Sequence, residues 1–423
     1  MKIRKIVLIE PRPDIVHEFS LAKLPRLGLP LLGKILKRKE KKVTIFCEEI
    51  KEINWKEVFG ADLVGISSLT NTINRAYKIA KKIKAKTNIP VVMGGPHVTF
   101  RPEEALKNSV DYVVRKEGEE TFPKLIEALE QNKNLNKILG ISYYNSREEK
   151  INHNPDRPLI KNLDQNPHPD LTLIKGWEKM RIIPVQTTRG CPYNCDFCQV
   201  VEMFGHKYRK RSIKDVIEEL KRYKYLNKPV FFYDDNFASS KKRAKELSQK
   251  LKEEKDIKIP RWSTQVRISS GRDKELVKKM RESGCNIIYA GIESINQKSL
   301  DYINKKQNIE EIEEGVNAFK EEKINIHGMF IFGTKLDTKE TIKKTVNWAK
   351  KNIDTAQFLA LTPIPGTRIY KKLKKQGKIW ANKIEDWKYY DGHHVVFRPE
   401  TIKVKKLQEI IMKANKEFYS IPR

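Results

Sequence analysis

Cysteine is scarce in this chain, with five in 423 residues, and three of the five fall within eight consecutive positions. So few cannot build a secreted disulfide framework, and thiols crowded into one short segment read as metal binding in a reducing cytosol. Long apolar runs are missing too: none approaches the roughly 20 residues that span a bilayer. The opening MKIRKIVLIEPRPD reaches charge and proline too early for a signal peptide, so a cytoplasmic protein is expected. Low-complexity tracts are absent, and 39% hydrophobic with 9% aromatic residues suffices for two domains and a small appendage. Acidic side chains are the minority, 54 against 85 basic ones, for a net charge of +31. Residues 1–150 hold 29 basic and 19 acidic side chains (+10), which leaves +21 for the other 273 residues. An excess spread in proportion to length reads as a solvated surface. No basic tail or arm argues for a nucleic-acid partner.

The first 145 residues alternate short β-branched runs with amphipathic stretches. IRKIVLIEP (3–11), VTIFC (43–47), DLVGISS (62–68), PVVMGG (90–95) and DYVVR (111–115) read as strands buried on both faces. Helices are expected over 70–86, where Ile73, Ala76, Ile79, Ala80 and Ile83 share a face, and over 119–131. This pattern predicts an α/β, doubly wound parallel sheet over residues 1–145, whose ligand edge carries the loops at 11–13, 67–70, 94–97 and 117–120.

Residues 146–180, with prolines at 155, 158, 167 and 169, read as a linker. A second βα series follows over 181–375. Strands are expected at 182–188, 230–234, 262–267, 286–292, 325–332 and 355–361, and helices near 212–225, 240–254, 272–283, 309–322 and 337–351. Ser212 with Asp215 resembles a capping box, and Gly284 sits where a helix would end. Six parallel strands predict a partial (β/α)6 barrel. Residues 376–423 are left as a C-terminal helical extension.

The segment RGCPYNCDFCQ (189–199) begins where the first barrel strand ends, the edge at which barrel enzymes build their sites. Cys191, Cys195 and Cys198, at C-x3-C-x2-C spacing on a loop tightened by Gly190 and Pro192, can ligate three corners of an iron–sulfur cubane. The fourth iron then has no protein thiolate, and an open coordination position is what a catalytic metal needs. The competing reading is structural zinc held by Cys195, Cys198 and helpers such as His206, which leaves Cys191 and the barrel without a task. Cys47 and Cys285 lie on apolar stretches and read as small core residues.

With this loop after the first strand of a partial barrel, residues 181–375 resemble the radical S-adenosylmethionine (SAM) superfamily. The resemblance implies a [4Fe–4S] cluster whose open iron chelates SAM and whose reduced form cleaves it to a 5′-deoxyadenosyl radical. It also implies that Phe197 lies by the adenine. Polar residues at further strand ends suit the rest of SAM: Tyr233, Asp234 and Asp235 for the ammonium, Gln265 and Arg267 for the carboxylate, and Glu293 for ribose hydroxyls.

The N-terminal segments LPRLGLPLLGKIL (24–36), GISSLT (65–70), MGGPHVTF (93–100) and RKEGEETF (115–122) resemble the Rossmann-like cobalamin-binding domain of class B radical SAM enzymes. The group includes hopanoid methylases and the anaerobic magnesium-protoporphyrin cyclase. The cobalamin cradle is expected from Ser67, Ser68, Leu69, Thr70, Gly94, Gly95, Pro96, His97, Glu117, Gly118 and Glu119. One departure concerns cobalt. A D-x-H-x-x-G loop would supply a histidine ligand, whereas this chain has Asp14 and His17 spaced D-x-x-H without the glycine. His17 therefore reads as a surface loop residue and His97 as a supporting one, with Leu69 or Thr70 near the lower face of a five-coordinate or water-bound cobalt. Nicotinamide binding is disfavoured because no G-x-G-x-x-G follows the first strand.

The function implied is methyl transfer from methylcobalamin to an unactivated substrate carbon, with one SAM spent on the radical and a second on remethylating the cobalamin. Cyclisation, oxidation or carbon–carbon coupling by the same cofactors is the near rival. An RNA-modifying methylthiotransferase is the rival of another class, but it needs a second cluster on three N-terminal cysteines, where only Cys47 is available. A non-enzymatic cofactor carrier would leave the strand-end polar groups without a task. A small-molecule, lipid or peptide substrate and a flavodoxin or ferredoxin reductant are the expected partners.

Overall fold

The computed structural model describes residues 2–15, 24–146, 148–257 and 259–420. The chain forms two compact units, Met1–Arg181 with Lys383–Lys388, and Ile182–Asn382 with Tyr389–Arg423.

In the first unit, β1 (Lys5–Glu10), β2 (Lys42–Cys47), β3 (Leu63–Ser67), β4 (Val91–Gly94), β5 (Tyr112–Val114), β6 (Ile141–Asn145) and β7 (Lys150–His153) form one sheet in the order 2-1-3-4-5-6-7. Pairing is parallel from β2 to β5 and antiparallel across β5, β6 and β7. The apolar runs of β1, β3 and β4 are buried almost throughout, as helix-covered strands must be. The helix Ile73–Lys84 turns Ile73, Ala76, Tyr77, Ile79, Ala80 and Ile83 inward. Strand order reverses between β1 and β3, and the crevice at such a switch point is where open α/β sheets bind ligands.

The segment expected to be a linker instead belongs to this unit. β6 and β7 form a hairpin that extends the sheet, and Leu163, Leu171 and Ile174 are buried. Asp170 bonds through its backbone N–H to Pro30 O and pairs with Lys34. Prolines and short 3-10 turns obscure these anchors, which have neither helical nor strand periodicity. The extension is likewise divided, since Lys383–Lys388 belongs to the first unit.

The second unit contains β8 (Ile183–Val185), β9 (Thr188–Arg189), β10 (Arg209–Lys210), β11 (Val230–Phe232), β12 (Trp262–Val266), β13 (Cys285–Glu293), β14 (Asn325–Phe332) and β15 (Thr355–Ala360). Six of these form a parallel sheet in the order 15-14-13-12-11-8, and β9 pairs with β10 as a separate antiparallel ribbon. Along β14 and β15 fully buried residues alternate with half-buried ones. Ala356, Phe358, Ile326 and Phe330 are among the buried set, while His327, Met329, Ile331, Gln357 and Leu359 share the opposite, less covered face.

A partial barrel leaves strand edges that must be managed. On β15 the helix Val404–Tyr419 does this with polar side chains. Asn415 accepts from Phe358 N–H and donates to Phe358 O, Tyr419 does the same at Ala356, and Gly392 O accepts from Ala360 N–H. At the other edge β8 carries Pro184, tolerated where no further strand needs its missing N–H.

Candidate functional site

The cysteine loop leaves the barrel where β9 ends, and its path is fixed by two neighbouring carboxylates with different tasks. Asp234 is completely buried. Its Oδ1 accepts from Thr187 N–H at 2.6 Å and Thr188 N–H at 2.9 Å, and its Oδ2 accepts from the Thr187 hydroxyl at 2.5 Å. That carboxylate ties β11 to the β8–β9 connection and, being wholly buried, serves the loop in this structure rather than facing a ligand as expected. Asp235 instead takes Gly190 N–H at 3.0 Å, and burial pushes its carboxyl up to about 6. Gly190 has φ +89, and a Cβ there would lie 2.6 Å from Lys207 O, so the turn into Cys191 requires glycine.

Beyond Gly190 the loop backbone is held from several sides while its thiols form no disulfide. Asn194 O accepts from Asn304 Nδ2 and Arg368 Nη2, each at 2.7 Å. Asp196 donates its N–H to Ile303 O and accepts from Ile369 N–H, both at 3.0 Å, and Gln199 Nε2 donates to Pro365 O at 2.7 Å. All three thiols are free. The Tyr193 amide reaches the Cys191 sulfur and the Val200 amide the Cys198 sulfur, the kind of hydrogen bond that stabilises cluster thiolates. Burial raises all three, Cys198 to about 12, against the pull of Lys305 on Cys191 and Cys195. Left alone they hold their protons, and a cluster must displace them.

His206, the helper that a zinc reading would need, is exposed. Three thiols at C-x3-C-x2-C spacing match three corners of an iron–sulfur cubane.

Around the loop the other strand-end residues fall on one edge of the sheet. Phe197 is half-buried beside Cys198, and Tyr233 and Gln265 are also half-buried. Arg267 lies over the Tyr193 ring at 4.1 Å and gives one donor to Lys306 O, leaving others of its fork. Glu293, at φ +67 after an irregularity in the β13–β14 register, forms a buried ion pair of 2.7 Å with Lys305. Lys305, Asn304 and Arg368 were not legible as site residues. They sit in lysine-rich stretches that read as surface.

In the first unit the loops after β3 and β4 touch closely. Ser68 N–H donates to Gly94 O at 3.1 Å. Gly95, at φ +101, lies so near that a Cβ would be 2.5 Å from Ser68 O. Leu69 is 37% exposed, an apolar side chain at the rim of the switch-point crevice, and the buried Ser68 hydroxyl has no hydrogen-bond partner. This backbone cradle with an orphan hydroxyl suits a large amide-bearing ligand such as cobalamin. Pro96 starts the short helix Pro96–Phe100, and His97 within it is fully buried with both ring nitrogens engaged, by Thr70 Oγ1 and Glu104 Oε1. It is thus unavailable to cobalt. Glu117 accepts from Ile160 N–H at 2.8 Å and so anchors the chain after β7. Gly118 O accepts from Phe122 N–H at the head of a helix, and Glu119 is nearly buried. His17 lies outside the described residues.

Comparison with known proteins bears on both units. The radical SAM superfamily model matches residues 185–349 and the B12-binding domain model residues 25–126. A protein described as an uncharacterised methyltransferase in Pyrococcus horikoshii is 34% identical over 100% of this chain and 94% of its own. The chain belongs to the cobalamin-dependent radical SAM family. The bacteriochlorophyllide d C-8(2)-methyltransferase of Chlorobaculum tepidum is 32% identical over 85% of this chain and 78% of its own. The fold is shared with the radical SAM methyltransferase TsrM of Kitasatospora setae, solved with cobalamin and a [4Fe–4S] cluster, at a TM-score of 0.74 and 18% identity over 89% of this chain and 75% of that one. The protein is an enzyme whose cofactors are a [4Fe–4S] cluster, SAM and cobalamin. No helix among the described residues is long and apolar enough to cross a membrane.

Proposed function

We propose that the enzyme transfers a methyl group to an unactivated carbon of its substrate. The observation that carries this reading is that one chain pairs three thiols outside any disulfide, two of them amide-supported, at a barrel strand end with a glycine-built cradle at the switch point of a second sheet. Two relatives named as methyltransferases match it over most of their lengths. When bound, the cluster and SAM supply a hydrogen-abstracting radical, and cobalamin supplies the methyl group.

Cys191, Cys195 and Cys198 hold the cluster on a loop that Asp235, Asn304 and Arg368 keep in place. Tyr233 and Asp235 receive the SAM ammonium, and Gln265 with the uncommitted donors of Arg267 receives its carboxylate. Phe197 lies along the adenine, and Glu293, oriented by Lys305, meets the ribose. Ser67, Ser68, Leu69, Thr70, Gly94, Gly95, Pro96, Glu117, Gly118 and Glu119 form the cobalamin cradle, with His97 behind it. A flavodoxin or ferredoxin supplies electrons. Five free cysteines favour the reducing cytoplasm.

The test is cofactor content. Anaerobically reconstituted protein should carry about four irons and four sulfides, as one cubane requires, and one cobalamin. Alanine at all three cysteines should abolish the cluster and SAM cleavage while sparing cobalamin. Stoichiometric zinc with no reconstitutable cluster would sink the reading.

A further inference from the structure

The C-terminal extension lends one segment, Lys383–Lys388, to the first unit, and with it a tryptophan, Trp387, only 1% exposed. The Trp387 indole donates to Glu104 Oε1 at 3.0 Å. The same oxygen accepts from the Tyr77 hydroxyl and from His97 Nε2, both at 3.1 Å, while Oε2 accepts from Arg101 at 3.2 Å. The Trp387 ring also meets the His97 ring edge-on, with centroids 5.1 Å apart, and lies under the Arg101 guanidinium. Both Glu104 oxygens are thus engaged.

Proton bookkeeping then fixes a direction. Burial works to raise the Glu104 carboxyl, but the bonds and charges around it outweigh burial and hold it low, while burial keeps His97 neutral. A carboxylate can only accept, so His97 carries its proton on Nε2 and offers a lone pair at Nδ1. Thr70 Oγ1 lies 3.2 Å from Nδ1 and must donate to it. The Thr70 hydroxyl proton is thereby committed inward, and what it can offer a ligand is a lone pair.

We propose that Trp387, Glu104 and His97 are positioning residues through which the C-terminal extension holds Thr70 as a hydrogen-bond acceptor for an N–H or O–H donor of bound cobalamin. The proposal rests on the reading of Ser67–Thr70 as part of the cobalamin cradle. Trp387 acts in two ways. Its N–H saturates Glu104, and its ring seals His97 from water that would otherwise donate to Nδ1 and release Thr70. The extension is then part of the cofactor site, and a fragment ending near residue 150 lacks it.

The experiment titrates hydroxocobalamin into full-length, cluster-reconstituted protein, reading affinity from the corrin absorption and the electron paramagnetic resonance spectrum of the Co(II) form. Thr70→Val and Trp387→Phe should each weaken binding by about 3- to 30-fold, the range seen for coupling through packed networks. Because Trp387 acts through Thr70, the double variant should bind no more weakly than Thr70→Val alone, and both should show the same altered Co(II) spectrum. Additive losses would mean that Trp387 serves packing only and would overturn the relay. Unchanged affinity and spectrum in Trp387→Phe, with a loss in Thr70→Val, would overturn it as well. An unaffected Thr70→Val would instead reject the cradle reading on which the relay rests. Iron content of each variant reports whether the second unit is intact. If Trp387→Phe fails to fold, Glu104→Gln, which keeps the shape and removes the charge, must show the same non-additivity with Thr70→Val or the relay fails.

Discussion

Removing the Asp234 carboxylate should destabilise the barrel unit without acting on SAM directly. In Asp234→Ala three donors lose their acceptor at once, the N–H groups of Thr187 and Thr188 and the Thr187 hydroxyl, in a place with no exposure to water. Each buried orphan costs about 1–3 kcal/mol, and since the three share one site a total of roughly 3–6 kcal/mol is expected. That is a large part of the 5–15 kcal/mol typical of a folded domain. Arg243, which donates to Thr187 Oγ1 at 3.2 Å and to Thr187 O at 3.3 Å, would also be left without its nearby anion. Asp234→Asn keeps Oδ1 for the two amides and should lose about 1–2 kcal/mol. Thermal unfolding of the apo protein measures the first effect, and SAM affinity of the reconstituted protein at low temperature, where the variants remain folded, measures the second. The expected order of stability is parent, Asn, Ala, with SAM affinity in the Asn variant within about threefold of the parent, whereas Asp235→Asn should weaken SAM tenfold or more, about 1.4 kcal/mol. An Asp234→Ala protein as stable as the parent but unable to bind SAM would refute the assignment.

Asn415→Ala should cost about 2 kcal/mol, because both backbone groups of Phe358 lose their partner at the barrel edge; an unfolding midpoint equal to the parent's would show that water replaces Asn415. His327 is held neutral by burial, its pKa lowered from 6.5 to about 4. At this site the unfolded chain binds more protons across that window, so the histidine's own contribution to stability should fall as pH drops from about 6.5 toward 4, opposed below about 6 by Asp235, whose raised carboxyl favours the folded chain as it protonates. His327→Gln should therefore gain stability relative to the parent as pH drops through that window, and a difference between the two proteins that does not vary with pH would refute the assignment. Gly95→Ala places a Cβ 2.5 Å from Ser68 O at φ +101, which should cost about 1–3 kcal/mol and weaken cobalamin more than SAM; equal affinity for cobalamin would count against the cradle.

What was legible in the sequence was local. The runs that became β1, β3 and β4 are apolar because helices cover both faces, and the three cysteines announce themselves because a single loop carries them. The β6–β7 hairpin escaped because its strands are short and polar residues outnumber apolar ones along them. The anchors of residues 155–180 are single apolar side chains in 3-10 turns, a pattern with no period. Asp234 and Asp235 are indistinguishable as neighbours in a sequence, and only the fold shows that one is spent on backbone amides while the other holds Gly190. Trp387 and Glu104 are 283 positions apart, so nothing along the chain joins them. Lys305 looks like one more surface lysine until its ion pair with Glu293 is seen.

The account stands most directly on a turnover with methyl-deuterated SAM, a low-potential reductant and a metabolite and lipid extract of cells lacking the enzyme, following both SAM products and the masses of consumed substrates. Methyl transfer predicts 5′-deoxyadenosine and S-adenosylhomocysteine in roughly equal amounts, with the deuterated methyl group retained in one new product. Substrate-dependent 5′-deoxyadenosine without S-adenosylhomocysteine, and with no label in any product, would contradict it and assign the enzyme to radical cyclisation, oxidation or coupling.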